Sequence, residues 1–464
     1  MLSVFLMLGM ASGCSGGHDN PGNGCGNDSF GFILSGTVTG LVGTGLEVHT
    51  APNQNQTNMD VSANGSVVLG AVNCNTAYDL TVVRQPTNPS QTCVVANGSG
   101  PGGPSGSGPN GSTGVSNIVI TCTTNPPRFA YVVNRGSNNI SAYAFDAATG
   151  ALTPITGSPF AAGDLPVAVA VDPAGRYLYV ANQSDATISA FTIDRTTGAL
   201  IPVAGSPFAT GAAPTSVAID SSSSFVYATN SGAGTVSVYA ISASSGVLTA
   251  APGSPFAIGG SPSFVALGPG NNYNVFVADH LQGTVAVYAP PFNGVLAIAP
   301  GWPQTIGLGP LSMAVDLADA ADGGSLYVTN ASLNTLSGLA DIDTSQPTAT
   351  AGSPYSTGSA PASAALTPLN NFLYVANKGS NNISAYSVDA LTGALTTLAG
   401  SPFSAGMQPS SIAIDPTGTF AYEADTGSNS VSVYAINPAT GALTPISESP
   451  FVSGSQPAAI VISD

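Results

Sequence analysis

Positive charge is the scarcest commodity in this chain. Of 464 residues only six are Lys or Arg, against 23 Asp or Glu, for a net charge of −17. A protein that grips nucleic acid needs a basic face to displace counterions from phosphates, so that class is excluded. Charge of either sign is rare, at 6% of residues, while hydrophobic residues make up 43%. Long disordered regions show the opposite balance, so the bulk of the chain is expected to fold. Long apolar runs are also missing. The stretch Leu2–Met10 falls well short of the roughly 20 residues a spanning helix needs. There are three histidines, five cysteines and no Cys-Xaa-Xaa-Cys pair, which leaves no zinc-site pattern. Plentiful instead are 56 Gly and 36 Pro. With so much Gly, Pro, Ser, Thr and Asn, the composition fits a turn-rich, all-β, exported protein.

The N-terminal run is followed by Ala11-Ser12-Gly13-Cys14 and then by a Gly/Asn/Pro-rich stretch to Asn27. This resembles a bacterial lipoprotein signal. It implies a signal peptide over 1–13, lipidation at Cys14 and a flexible tether over 14–27. The expected location is extracytoplasmic, in the cell envelope or secreted, with membrane contact only through the lipid. Four further cysteines precede the repeats described below. In an exported chain they are expected to form two disulfides, Cys93–Cys122 and Cys25–Cys74.

Residues 28–124 carry seven short alternating runs between turn signals, the pattern of a small β-sandwich. The segment 98–114 is almost wholly Gly, Pro, Ser and Asn and is expected to be a loop. The runs Gly36–Leu41, Val61–Ser66 and Gln91–Cys93 resemble immunoglobulin-like or carboxypeptidase-regulatory-like modules.

From residue 125 onward the chain repeats. Aromatic residues opening a Tyr-Val-Xaa-Asn motif stand at Tyr131, Tyr179, Tyr227, Phe276, Tyr327, Tyr374 and Tyr422, at intervals of 47 to 51. A Gly-Ser-Pro-Phe marker and an apolar run starting near a proline recur at the same period. In Val167–Phe208 the run Val167–Val171 reads as an innermost strand buried on both faces. Tyr177–Asn182 and Thr187–Ile193 read as the second and third strands, and Leu200–Val203 as the outer one. Gly205–Gly211 is then the crossing to the next unit. Four antiparallel strands in about 48 residues make a propeller blade, and seven units make a seven-bladed β-propeller over 125–464. The series opens on a second strand and ends on an apolar run, Ala459–Ile462. The C-terminal strand is therefore expected to complete the first blade.

The motifs Tyr131–Asn134, Tyr179–Asn182, Tyr327–Asn330 and Tyr374–Asn377, with the Asp-Xaa-Xaa-Thr-Gly turns at 146–150, 194–198 and 389–393, resemble those of YVTN-repeat and seven-bladed lactonase-type propellers. The resemblance implies a site around the central channel, where incoming loops and second-to-third-strand loops share a face. On that face fall Arg135, Asp164, Asp185, His280, Lys378, Gln408 and Asp425. No catalytic residue is assigned. If the chain hydrolyses a lactone, His280 is the candidate base, Asp279 or Asp425 its orienting acid, and Arg135 or Lys378 the oxyanion donor. These residues belong to separate blades, and no histidine stands at the start of an innermost strand, where the lactonase resemblance implies one. The propeller carries 5 basic residues against 18 acidic ones. The expectation is therefore a monomeric binding, scaffold or cell-surface protein with a protein or carbohydrate ligand, no cofactor and no metal. The alternative is a lactonase-like hydrolase of the 6-phosphogluconolactonase type. The repeated Asn134, Asn182, Asn230, Asn330 and Asn377 are read as structural, bonding the turn backbone.

Overall fold

The computed structural model describes residues 31–41, 46–51, 59–73, 77–84, 91–100, 115–124, 128–268, 274–289, 294–316, 324–342, 344 and 346–463. Cys14, Cys25 and Cys74, and with them the expected lipidation site and the expected Cys25–Cys74 disulfide, lie outside these residues. The chain divides into two units, Met1–Asn125 and Pro126–Asp464. The described residues are strands and turns throughout.

Among the described residues, the first unit has eight strands, where seven runs are expected from the sequence. β1 (Gly31–Thr39), β4 (Gly65–Asn73), β6 (Gln91–Ala96) and β8 (Val115–Thr124) form one sheet in the order β4-β1-β8-β6. β2 (Leu46–Ala51), β3 (Met59–Val61), β5 (Tyr78–Arg84) and β7 (Ser99–Gly100) form the other, in the order β3-β2-β5-β7. The additional strand, β7, lies at the start of the Gly/Pro-rich segment, where its backbone pairs with Tyr78 and Asp79. Leu34, Leu46, Leu80, Ile118 and Ile120 fill one core contributed by both sheets. Cys93 and Cys122 stand directly opposite on β6 and β8 and are joined as a disulfide.

The second unit is seven blades. Blade 2 shows the plan: innermost Pro166–Val171, second Tyr177–Asn182, third Thr187–Ile193, outer Leu200–Pro202. Blade 1 takes its innermost strand from the end of the chain. Pro457–Ile462 pairs antiparallel with Phe129–Asn134, with Ile460 opposite Val132. The second strand of each blade is buried because a neighbouring blade covers each of its faces. Tyr131 and Val133 of blade 1, for example, pack with Leu178, Val180 and Phe191 of blade 2. The motif tyrosine also bridges blades through its hydroxyl. Tyr179 donates to the Gly246 carbonyl at 2.9 Å and Tyr374 to Gly441 at 2.7 Å. Tyr422 of blade 7 donates to Gly150 of blade 1 and so carries the series around the ring.

Two expectations are corrected. The innermost strands are not buried on both faces: Val167 to Val171 are all partly exposed, because these strands line the central channel. The Gly-Ser-Pro-Phe segment is not simply a crossing. Phe208–Ala209 returns to pair with Thr187 and Ile188 of the third strand, while Leu200–Pro202 pairs with its other half. The outer strand is thus split, and Gly205, at φ +85°, makes the break. At that break a third-strand N–H loses its ladder acceptor, and the marker serine replaces it. Ala190 N donates to Ser206 Oγ at 2.9 Å, and Ala142 N to Ser158 Oγ at 2.9 Å. Blade 4 has Trp302 in place of the serine. Its indole is buried edge-on against Phe276, with ring centroids 6.1 Å apart.

Candidate active site at the channel mouth

The second strands end at one rim of the channel, on the motif asparagine in five blades and on Asp279 and Asp425 in blades 4 and 7. Asn182 Nδ2 donates to Thr187 Oγ1 and Ser189 Oγ, at 3.0 and 2.9 Å, and Asn182 Oδ1 accepts from Gly163 N at 3.1 Å. It therefore clamps the next strand and the incoming loop, rather than the turn backbone alone. Glycine is required above it: a Cβ on Gly163 would stand 2.6 Å from the Asn182 side chain.

The residue after that position occupies an equivalent place in all seven blades: Arg135, Gln183, Ser231, His280, Ala331, Lys378 and Thr426. Each donates its backbone N–H to the incoming loop, as Arg135 does to Gln456 O at 3.0 Å and Lys378 to Ala360 O at 3.0 Å. The accepting residue directly precedes the innermost strand in most blades. There Leu165, Ala213, Ala360, Gln408 and Gln456 all adopt φ between 49 and 54°. Such left-handed residues are costly away from glycine and persist only where the surroundings hold them. Here asparagines of the preceding blade do so, Asn381 Oδ1 accepting from Gln408 N at 2.7 Å and Asn429 Oδ1 from Gln456 N at 2.8 Å. The second residue of each innermost strand then bulges out of register, as between Pro166 and Ala168. The mouth is a ring of cross-linked, strained loops that presents one side chain per blade.

Arg135 and Lys378 share this ring, on blades 1 and 6. Both are partly buried, and neither has a carboxylate partner among the described residues. Burial, with the charge of Arg135 adding to it, holds the Lys378 ammonium below the ordinary lysine range. Arg135 Nε is buried with no protein partner. The sequence reading placed both on this face but treated them as scattered.

The other candidates divide. His280 is on the ring, with Nδ1 buried and unpartnered. Asp279 does not orient it. Oδ1 of Asp279 accepts from Leu281 N and Gln282 N, and Oδ2 from Ser261 N, so the carboxylate caps the turn. Asp164 and Asp185 are exposed but occupied: Asp164 accepts from Asn138 Nδ2 at 2.7 Å, and Asp185 from the Asp164 N–H at 2.6 Å. Gln408 is exposed on the rim. Asp425 is fully buried beneath Gly406 and is not on the ligand face. The acids Asp172, Asp220 and Asp415 cap turns at the far end of their innermost strands, as Asp415 does for Thr419 N and Phe420 N. Asp319, Asp322 and Asp343, part of an acidic cluster that resembles a calcium site in composition, lie outside the described residues. No group of three or more His, Cys, Asp or Glu is placed for a metal among the described residues.

One feature escaped the sequence reading. Blade 7 carries Glu423 and Asp425 where blades 1, 2, 5 and 6 carry Val and Asn. Both acids are fully buried. Glu423 Oε2 accepts from Tyr434 Oη and Gly406 N, and Asp425 Oδ2 from Ser432 Oγ at 2.7 Å. Burial and the facing Asp425 raise Glu423 well above the carboxylate range, and burial raises Asp425 to about 6. The two carboxyls interact electrostatically, and Glu423 Oε1 and Asp425 Oδ1 are both buried without a hydrogen-bond partner. The break in the repeat was the available signal.

The fold and rim together define a seven-bladed β-propeller with a polar site at the mouth of its channel. The chain matches the family described as lactonase, 7-bladed beta-propeller, over residues 102–208, 205–299 and 325–462, and it belongs to that family. Solved structures agree on the fold. A protein of Lactobacillus plantarum superimposes with a TM-score of 0.61 at 23% identity, covering 73% of this chain and 100% of its own. The periplasmic gluconolactonase of Pseudomonas aeruginosa does so with a TM-score of 0.59 at 20% identity, covering 73% and 99%. For a candidate 6-phosphogluconolactonase of Bacteroides fragilis the values are 0.59 and 19%, covering 74% and 99%. No curated protein matches the chain.

Proposed function

We propose that the protein is a lactone hydrolase acting on an anionic or polyhydroxylated lactone at the channel mouth. The observation that carries this reading is the pair Arg135 and Lys378. In a propeller with 5 basic and 18 acidic residues, two of the five stand at equivalent places on the channel rim, within electrostatic reach of each other and with no carboxylate ion pair among the described residues. Family membership supports it over the non-catalytic scaffold expected from composition. In the reaction, water adds to the lactone carbonyl, the ring C–O bond breaks and the water proton ends on the released hydroxyl. The two cations would hold the substrate anion and the developing oxyanion. His280 is the imidazole on this rim available to accept a proton, through a side chain that no acid orients. That missing acid is the specific observation favouring binding of a protein or carbohydrate ligand without turnover, which remains the second reading. Export and attachment through Cys14 belong to the same proposal, supported by the N-terminal sequence alone.

The test is opening of gluconolactone and of 6-phosphogluconolactone, followed by pH-stat and corrected for spontaneous hydrolysis. Arg135→Gln and Lys378→Gln should each lower kcat/KM by about 10- to 100-fold, the scale of a lost charge-assisted hydrogen bond. A rate no faster than buffer would leave the binding reading in place.

A further inference from the structure

The seven blades are copies, so a residue that breaks the pattern at the mouth marks what one sector does differently. Besides Arg135, His280 and Lys378, the breaks include Met407 on blade 7, 58% exposed, and four leucines on blades 4 and 5. At the position of Leu308 the other blades have Asp, Ala, Gly, Ser, Met and Ser. At that of Leu333 they have Ser, Asp, Ala, Gln, Ser and Ser, and at that of Leu281 only Gly or Ser. Leu311 follows the proline that starts the innermost strand of blade 5. All four are solvent-exposed, at 56%, 50%, 69% and 37% respectively. They belong to the rim loops and strand starts of the adjacent blades 4 and 5. Leu308 lies over Gly283 and Leu333 over Gly307, where an added Cβ would stand 3.4 and 3.1 Å from the leucine methyls.

The mouth is thus divided. Cations stand on blades 1 and 6, and exposed leucines lie on blades 4 and 5 of the same rim. We propose that the ligand of this site is amphipathic. Its anionic or lactone end lies at Arg135 and Lys378, and an alkyl or acyl chain runs onto Leu281, Leu308, Leu311 and Leu333. The inference rests on the lactone-hydrolase reading and narrows its substrate to a lactone bearing an apolar chain. Size argues for a chain rather than a protein. Four partly exposed leucines amount to on the order of a few hundred Å², against about 800 Å² per partner in a stable protein interface. Charge complementarity and continuity with the channel mouth fix which end goes where.

Straight-chain carboxylates of four, six and eight carbons, titrated by calorimetry, separate the two ends. Affinity of the wild-type protein should rise about two- to fourfold per methylene, the increment expected for burying each CH₂ in part or in full. In Leu308→Ser/Leu333→Ser the butyrate affinity should hold while the chain-length dependence flattens. In Arg135→Gln/Lys378→Gln all three acids should weaken alike. Melting curves would establish that both double variants are folded. Absence of chain-length dependence in the wild type, or its persistence in the leucine variant, overturns the proposal. So does a dimer that the leucine variant dissociates, which would make these leucines a contact between copies. If chain-length dependence appears but no lactone is opened, the hydrolase reading fails and the amphipathic site stands. Turnover indifferent to chain length gives the reverse.

Discussion

Replacing Glu423 and Asp425 together by Val and Asn would restore blade 7 to the pattern of blades 1, 2, 5 and 6, and its effect should depend on pH. In the unfolded chain both carboxyls ionise near pH 4. In the folded chain burial holds Asp425 at about 6 and Glu423 above the carboxylate range. The ionisable groups facing Glu423 are Asp425 and the Tyr434 hydroxyl, and no cation offsets them. The folded state therefore binds protons that the unfolded state has released. Stability is fully present below about pH 4 and is lost as pH rises through 6. A shift of Asp425 from 3.8 to about 6 is worth about 3 kcal/mol once both states are ionised. At about 2.1 cal/mol/K per residue, and for about 340 propeller residues unfolding together, that is roughly 4 °C in Tm. The assay is thermal melting of wild type, Glu423→Val/Asp425→Asn and Glu423→Gln at unit steps from pH 4 to 8. The double variant should gain on the wild type by that amount between pH 4 and 7, and Glu423→Gln should show a weaker pH dependence than the wild type. A Tm difference that stays constant within about 1 °C over this range would refute the raised pKa values of the buried pair.

Deleting residues 457–464 removes the innermost strand of blade 1 and the Ser463 contacts to Phe129, and should lower Tm and solubility together, measured by melting and sedimentation. Tyr374→Phe strands the buried Gly441 carbonyl and should cost about 1 kcal/mol in denaturant unfolding, with no change in ligand binding. Cys14→Ser, expressed in a bacterial host, should move the protein out of the membrane fraction; retention there would count against lipid attachment.

The blades were legible because each needs the same local chemistry: an aromatic to bridge to the next blade, an asparagine to clamp the rim, a serine at the break of the outer strand. What those markers do was less visible. A run such as Val167–Val171 looks the same whether it is sandwiched or lines a channel. The serine of Gly-Ser-Pro-Phe gives no sign that it accepts a strand N–H. The site suffered most. Arg135 and Lys378 are 243 positions apart, and nothing local says that they interact. They come within electrostatic reach because the C-terminal strand closes the ring and sets blades 6, 7 and 1 side by side. Asp425 sits at a loop boundary in the sequence, yet its side chain turns inward beneath Gly406, as the asparagines do. Glu423 interrupts a Val-rich motif in plain view, but its partner could be named only once both were seen inside the blade.

The split outer strand has a consequence for how this protein stays apart from its own copies. A blade's outermost strand normally offers a free row of backbone N–H and C=O groups, and many proteins guard such rows with lysine. This chain has one lysine in all, Lys378, and it is at the channel. Its outer fragments even expose apolar side chains: Ile201, Ile298 and Val452 are 58%, 53% and 84% accessible. The guard is the interruption. Leu200–Pro202 and Phe208–Ala209 are three and two residues long, with proline and a backbone break between them. A strand from another molecule finds too short a template on either fragment to zip onto. Seven such interruptions do around the circumference what surface charge does elsewhere, which is how a ring with so little charge can avoid stacking side by side into aggregates.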